Sequence, residues 1–323
     1  MITSDARSNA SRAATATVAT VKFSIWPNPA RPMSEVLDLG RLADEDGWHG
    51  IWYADHYMPN TGGEEVADGD VFECWAVLAA LAVVTDRVRL GSLVSPTSVH
   101  HPALLANRAA TIDHLSHGRL VLGLGAGWQI NEHGAYGIEL EPPGVRVSRF
   151  DEAIQVVRSL LGNERTTFNG NYYAITDAPC DPKPIQSPLP LLVGTSSPRM
   201  LRITARHADE WNTWGSPELA NANAAKFDEA CNSVDADPAS KWRSAQALVF
   251  VTDDQQTIDG VMAGEMADRS IAGPNDHIVE QLGAYADAGF DEFIVPDFTL
   301  GRTAEERSDS LRSFKTEIAA QLD

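Results

Sequence analysis

The chain has 323 residues, 43% of them hydrophobic, and a formal net charge of −20 at pH 7. That length and apolar content bury a sizeable core, as one large barrel or two ordinary domains, and the charge excludes a nucleic-acid backbone or an anionic membrane surface as partner. No run approaches the ~18 apolar residues of a membrane span, and three cysteines (Cys74, Cys180, Cys231) without metal-ligand spacing suit a reducing cytoplasm.

Residues 1–19 are rich in Ala, Ser and Thr, with Arg7 and Arg12 but no apolar signal core, and read as a flexible tail before a single domain over 20–323. Val21–Trp26 is the first strand run, followed by a helix from Met33 to Asp46 with Ser34 as N-cap candidate. Gly50–Tyr53 is the second, followed by a polar loop and an apolar helix over Val71–Thr85. Val88–Val94 precedes Pro102–Leu115, whose Leu105, Ala109 and Ile112 repeat at helical spacing. Leu120–Leu124 is fourth, with the amphipathic Arg149–Leu161 after it. The rhythm then breaks over residues 162–190, where Asn169-Gly170 predicts a hairpin between aromatic, β-prone segments. It resumes with Leu189–Val193, Glu210–Trp214, Ala245–Val251 and Glu292–Val295, interleaved with helices Pro198–His207, Pro217–Cys231, Asp276–Ala288 and Ala304–Leu322.

The strand runs are continuously apolar, as in a parallel sheet buried on both faces. Eight such units predict an α/β fold, a (β/α)8 TIM barrel with one insertion after the fourth βα unit; a doubly wound sheet is the competitor. In such a barrel chemistry gathers where strands end. Asp55 and His56 fall just past the second strand, and a histidine there suits proton transfer near neutrality, since its ordinary pKa is about 6.5. Ser95-Pro96-Thr97 follows the third strand, and Arg108 and His114 on the next helix read as surface residues. The glycines of Gly123-Leu-Gly-Ala-Gly127 do not form a dinucleotide fingerprint; they would let a planar ligand approach the strand end, with Asn131 and Glu132 in reach of its edge. Gly194-Thr-Ser-Ser-Pro-Arg199 joins the fifth strand to a helix that Pro198 starts, so free N–H groups, hydroxyls, the helix dipole and Arg199 favour an anion. No HxH, HExxH or GxSxG is present, so neither a catalytic metal nor a serine nucleophile is expected.

Trp52-Tyr-Ala-Asp-His-Tyr-Met-Pro59, Ser92-Leu-Val-Ser-Pro96, His117-Gly-Arg-Leu-Val-Leu-Gly-Leu-Gly-Ala-Gly-Trp128 with Asn131-Glu132, Thr167-Phe-Asn-Gly-Asn-Tyr-Tyr173 and Ala208-Asp-Glu-Trp-Asn212 together resemble the bacterial-luciferase-like superfamily. The resemblance is to its F420-dependent oxidoreductase branch, abundant in actinobacteria, and runs from Lys22 to Pro296. It implies a barrel with a deazaflavin or flavin ring in its C-terminal mouth and a non-proline cis peptide at Ser92-Leu93 or Leu93-Val94. It further implies Asp55 and His56 as the ring-proximal catalytic pair, and Ser92, Leu93, Val94, Ser95 and Asn131 as cofactor contacts. Gly194, Thr195, Ser196 and Ser197 match a phosphate loop that is more glycine-rich in the family. Trp26 and Trp128 would wall the substrate pocket; sugar-phosphate dehydrogenases of the superfamily have a catalytic Glu at the position of Trp128, so a sugar phosphate is disfavoured.

The leading expectation is a cytoplasmic oxidoreductase moving a hydride between coenzyme F420 and a small organic substrate. The alternative is an FMN-dependent monooxygenase using O2 and a separate flavin reductase, and a third reading is a flavin-binding barrel without turnover. A homodimer is compatible with each.

Overall fold

A computed structural model describes residues 20–322; the tail expected over residues 1–19 lies outside the described residues. The strand β1 (Lys22–Trp26) leads to α1 (Met33–Glu45), β2 (Gly50–Tyr53), α2 (Cys74–Val84), β3 (Arg89–Ser92), its two-residue continuation β4 (Ser95–Pro96) and α3 (Pro102–Leu115). Next come β5 (Leu120–Gly125), the short α4 (Ile130–Ala135) and α5 (Pro143–Gly162). A hairpin of β6 (Thr166–Asn169) and β7 (Ala174–Ala178) precedes β8 (Leu191–Gly194), α6 (Pro198–His207), β9 (Glu210–Trp214) and α7 (Pro217–Asn232). The chain ends through β10 (Trp242–Gln246), β11 (Leu248–Val251), α8 (Gln255–Met262), β12 (Ser270–Gly273), α9 (Asn275–Asp287), β13 (Glu292–Pro296) and α10 (Ala304–Ser313).

Eight parallel strands close in the order β1, β2, β3, β5, β8, β9, β10, β13, with β13 back on β1 at Ser24↔Ile294 and Ile25↔Val295. Helices between consecutive strands make this a TIM barrel. The continuous apolar runs are explained by two separate cores. One face packs on the helices, as with Phe23, Ile25, Leu90, Leu122 and Phe293; the other fills the barrel, as with Trp52, Val121, Leu192 and Ile294. At the N-terminal end of the barrel, Glu292 accepts from Trp52 Nε1 (2.8 Å) and Trp242 Nε1 (3.0 Å) and, like Glu210, pairs with Arg89. These groups seal the end opposite the strand C-termini.

Several expectations need correction. Pro32, not Ser34, occupies the N-cap of α1, and no side chain caps it. The run expected as one seventh strand divides: Trp242–Gln246 stays in the barrel, while Leu248–Val251 leaves it to pair with β12 in a small parallel sheet. An unbroken apolar run cannot mark such a bend: Val249 in the departing half is as buried as Ala245 in the barrel half. The hairpin lies where expected, but its loop is longer than Asn169-Gly170: Glu152 of α5 accepts from the N–H groups of Asn171, Tyr172 and Tyr173, so these residues form the turn. The helix expected from Arg149 begins at Pro143, and α4 was not anticipated. Both differences bear on the site. The three cysteines are free and buried, and burial pushes their thiols up.

Candidate active site

The C-terminal ends of the strands enclose a cavity of about 870 Å³. Its floor is the break between β3 and β4, where Leu93 and Val94 are joined by a cis peptide, the second of the two positions expected. The glycines of β5 make room for this floor, and Gly125 also lines the cavity. A Cβ on Gly123 would stand 1.9 Å from the carbonyl oxygen of Ser92, and one on Gly125 would stand 2.8 Å from Val94 Cγ2.

His56 leaves the end of β2 and lines the cavity. Its Nδ1 lies 3.0 Å from Oε1 of Glu132, whose Oε2 accepts from the backbone N–H of Tyr57 (2.9 Å). Glu132 is 2% exposed, held on α4, and also lines the cavity. An ionised carboxylate only accepts, so Nδ1 carries the proton in this pair and Nε2 is the nitrogen left for the cavity. The indole of Trp128 meets the imidazole edge-on (5.5 Å, 84°) and is itself 55% exposed, a wall at the mouth.

Asp55, expected beside His56, is turned the other way. It is fully buried, and Oδ2 accepts from Ser95 Oγ (2.6 Å), Trp75 Nε1 (3.2 Å) and His100 Nε2 (2.8 Å). Arg108, though exposed, reaches Nδ1 of His100 (3.2 Å), and because arginine only donates, Nε2 is the nitrogen that donates to Asp55. Adjacent residues of an extended segment point to opposite sides, so one of the Asp-His pair had to leave the cavity. The expected side-chain contacts of Ser92, Ser95 and Asn131 are corrected likewise: Ser92 Oγ donates to the carbonyl of Gly123 (2.8 Å), Ser95 to Asp55, and Asn131 Nδ2 to the carbonyl of Pro59 (2.8 Å). None of the four lines the cavity. Asn131 turns away because it sits on the unanticipated helix α4, which presents Glu132 instead.

At the other end of the cavity Gly194, Thr195, Ser196 and Ser197 form the lip before α6. Thr195 N–H is used by the carbonyl of Asn212 and Ser197 N–H by Thr195 Oγ1, whereas the N–H groups of Ser196, Arg199 and Met200 have no acceptor among the described residues. Arg199 does not face this lip; it donates to the carbonyl of Gly144 (3.0 Å) and to Ser148 Oγ (2.8 Å), bracing α6 on α5. Two arginines line the cavity, the exposed Arg269 and Arg146 from the first turn of α5. Arg146 Nη1 donates to the carbonyl of Gly127 (2.7 Å), and its Nε is buried without a partner. Orphan backbone N–H groups at a helix start and the Arg146 guanidinium, lining one cavity, fit a phosphate-bearing cofactor.

The remaining wall is aromatic. Trp26 at the end of β1 meets Trp214 of β9 (5.2 Å, 75°) and Phe298 after β13 (5.1 Å, 55°). Asn212 and Gln246 also line the cavity, with Gln246 level with Trp214 in the pairing of β10 on β9. Trp214 ends a strand that was expected, so extending the strand-end rule to it would have found it. Arg146 falls outside the helix expected from Arg149, which begins six residues earlier, at Pro143.

An eight-stranded barrel with a cavity at its strand C-termini, a proton-transfer pair at one end and an anion-binding lip at the other defines a cofactor-using barrel of the enzyme type. The family model for luciferase-like monooxygenases matches residues 14–266, and the chain belongs to that family. It is 35% identical over 191 residues to an F420-dependent glucose-6-phosphate dehydrogenase of Microbacterium testaceum, an alignment covering 58% of this chain and 54% of that one. The chain therefore spans about half the length of that relative. A dehydrogenase of the same description from Beutenbergia cavernae is 29% identical over 330 residues, covering 88% of this chain and 95% of the relative. The fold is similar to that of the coenzyme F420-dependent tetrahydromethanopterin reductase of Methanopyrus kandleri, with TM-score 0.80 and 19% identity over 94% of this chain and all of that one (100%).

Proposed function

We propose that this protein is an F420-dependent oxidoreductase that moves a hydride between the deazaflavin and an organic substrate. The observation that carries the reading is the opposition, across one cavity, of the His56–Glu132 pair and the phosphate-competent lip with Arg146. Relatives described as F420-dependent favour the deazaflavin over FMN. Bound there, F420 would supply a ring carbon able to accept or release a hydride.

The chain's own residues do the rest. Leu93 and Val94 offer an apolar floor on which a flat ring can lie. The N–H groups of Ser196 and Met200 and the guanidinium of Arg146 hold a phosphate without displacing any existing bond of those N–H groups. His56 takes or gives one proton at Nε2; Glu132 fixes the ring's orientation and stabilises the imidazolium that proton uptake creates. Trp128 stands over the imidazole and limits water, and it cannot transfer a proton as a carboxylic acid would.

Fluorescence titration of the purified protein with F420 and with FMN tests this. Micromolar binding of F420 in preference to FMN is expected. Binding of FMN alone would replace the proposal with the monooxygenase reading.

A further inference from the structure

The half of the cavity beyond the His56–Glu132 pair has a chemistry of its own. Trp26, Trp214 and Phe298 form its wall, and both indole Nε1 atoms are shielded from solvent, so the surface the rings present is carbon. The charged side chains that line the whole cavity are His56, Glu132, Arg146 and Arg269. The first two face each other, Arg146 belongs to the lip, and Arg269 is exposed. An anion held against the aromatic wall would lack a buried counter-charge, which disfavours it strongly.

One polar group stands out beside the wall. Gln246 is 5% exposed and lines the cavity. Its Oε1 accepts from Asn212 Nδ2 (2.7 Å), which also contacts the Ser244 carbonyl oxygen (3.4 Å) and Oγ (2.9 Å). Because that carbonyl only accepts, the Asn212 atom facing it is the amide nitrogen, and this fixes Oε1 as the Gln246 atom facing Asn212. Gln246 Nε2 is left with no acceptor among the described residues, and it is not one of the atoms sealed from solvent.

We propose that the substrate is an uncharged compound with an oxygen on a ring or flat apolar body. The body lies against Trp26, Trp214 and Phe298, and the oxygen accepts a hydrogen bond from Nε2 of Gln246. This deepens the F420 reading and rests on it only for the reaction the compound undergoes. Aromatic rings gain from edge-to-face contact beyond the area they bury, and one directed donor selects the orientation of the oxygen.

The experiment titrates the full-length protein, with and without F420, with 2-tetralone, with tetralin (the same hydrocarbon without the oxygen) and with glucose 6-phosphate, following tryptophan fluorescence. We expect 2-tetralone to bind about fivefold tighter than tetralin, a difference of the size one neutral hydrogen bond gives. Gln246→Met should abolish that difference while leaving tetralin and F420 binding within twofold. Trp214→Ala should weaken both hydrocarbons. Equal binding of 2-tetralone and tetralin, tighter binding of glucose 6-phosphate, or loss of F420 affinity in Gln246→Met would each overturn the proposal. Should F420 fail to bind while the tetralone difference stands, the cofactor reading falls and the substrate class survives.

Discussion

His56 Nδ1 lies 3.0 Å from Oε1 of Glu132, a contact that joins the end of β2 to a short helix 76 residues further on. The buried carboxylate sets which imidazole nitrogen meets the cavity. Glu132→Gln keeps the shape and removes the charge. We expect kcat to fall by about tenfold or more, because the imidazolium formed on proton uptake loses its counter-charge. His56→Ala should cost about 10²–10⁴-fold in kcat with F420 affinity within twofold. Turnover near the parent level in either variant would remove the pair from the chemistry.

Asp55 should behave as a positioning residue. Its Oδ2 collects donors from Ser95, Trp75 and His100, all buried. Asp55→Ala removes the acceptor of Ser95 and His100, while Trp75 Nε1 keeps Ser95 Oγ at 3.1 Å, and should lower the unfolding free energy by about 2–4 kcal/mol in urea denaturation. A variant of parental stability with large loss of kcat would return Asp55 to the catalytic role its sequence position implies.

The N-terminal end of the barrel should impose a pH dependence on stability. Burial pushes the Glu210 carboxyl up from 4.5 to about 7, against the pull of Arg89 and with help from the like charge of Glu292. Between those values the native state holds a proton that the unfolded chain has released. Stability is therefore fully present below pH 4.5 and declines as pH rises toward 7, by an amount on the order of 1–3 kcal/mol. Urea midpoints measured from pH 5 to 8 should fall less steeply in Glu210→Gln than in the parent; identical slopes would refute the assignment.

The barrel was legible in the sequence because strands buried on both faces are mostly apolar runs alternating with helices, although β9 (Glu210–Trp214) and β10 (Trp242–Gln246) carry polar residues. Strand ends were legible too, and so were His56, Trp26, Trp128 and the Gly194–Ser197 lip, all of which line the cavity. Side-chain direction was not. Asp55 and His56 are neighbours in an extended segment and point apart, and Asn131 sits on a helix too short to give a periodic signal. The glycines of β5 signalled a close approach correctly; at Gly123 the approaching group is the backbone of Ser92, while Gly125 lines the cavity. Contacts made across the barrel, such as Asn212 with Gln246, have no local trace in either strand.

The lip before α6 and Arg146 are expected to hold the phosphate of the cofactor together. Arg146 Nε is buried and unpaired, and the free N–H groups of Ser196 and Met200 line or border the same space. A charge-assisted hydrogen bond to phosphate contributes about 1.5–3 kcal/mol, so Arg146→Gln should weaken F420 binding by roughly 10- to 100-fold. Ser196→Asp places a negative charge where the helix start favours an anion, and should weaken it as well. The control is the deazaflavin lacking its phosphate, the riboflavin-level analogue, which should bind all three proteins alike. Thermal stability should change little in Ser196→Asp, because Ser196 is exposed at the rim. Equal losses for the phosphorylated and dephosphorylated ligands would mean that these residues shape the ring pocket and that the phosphate is held elsewhere.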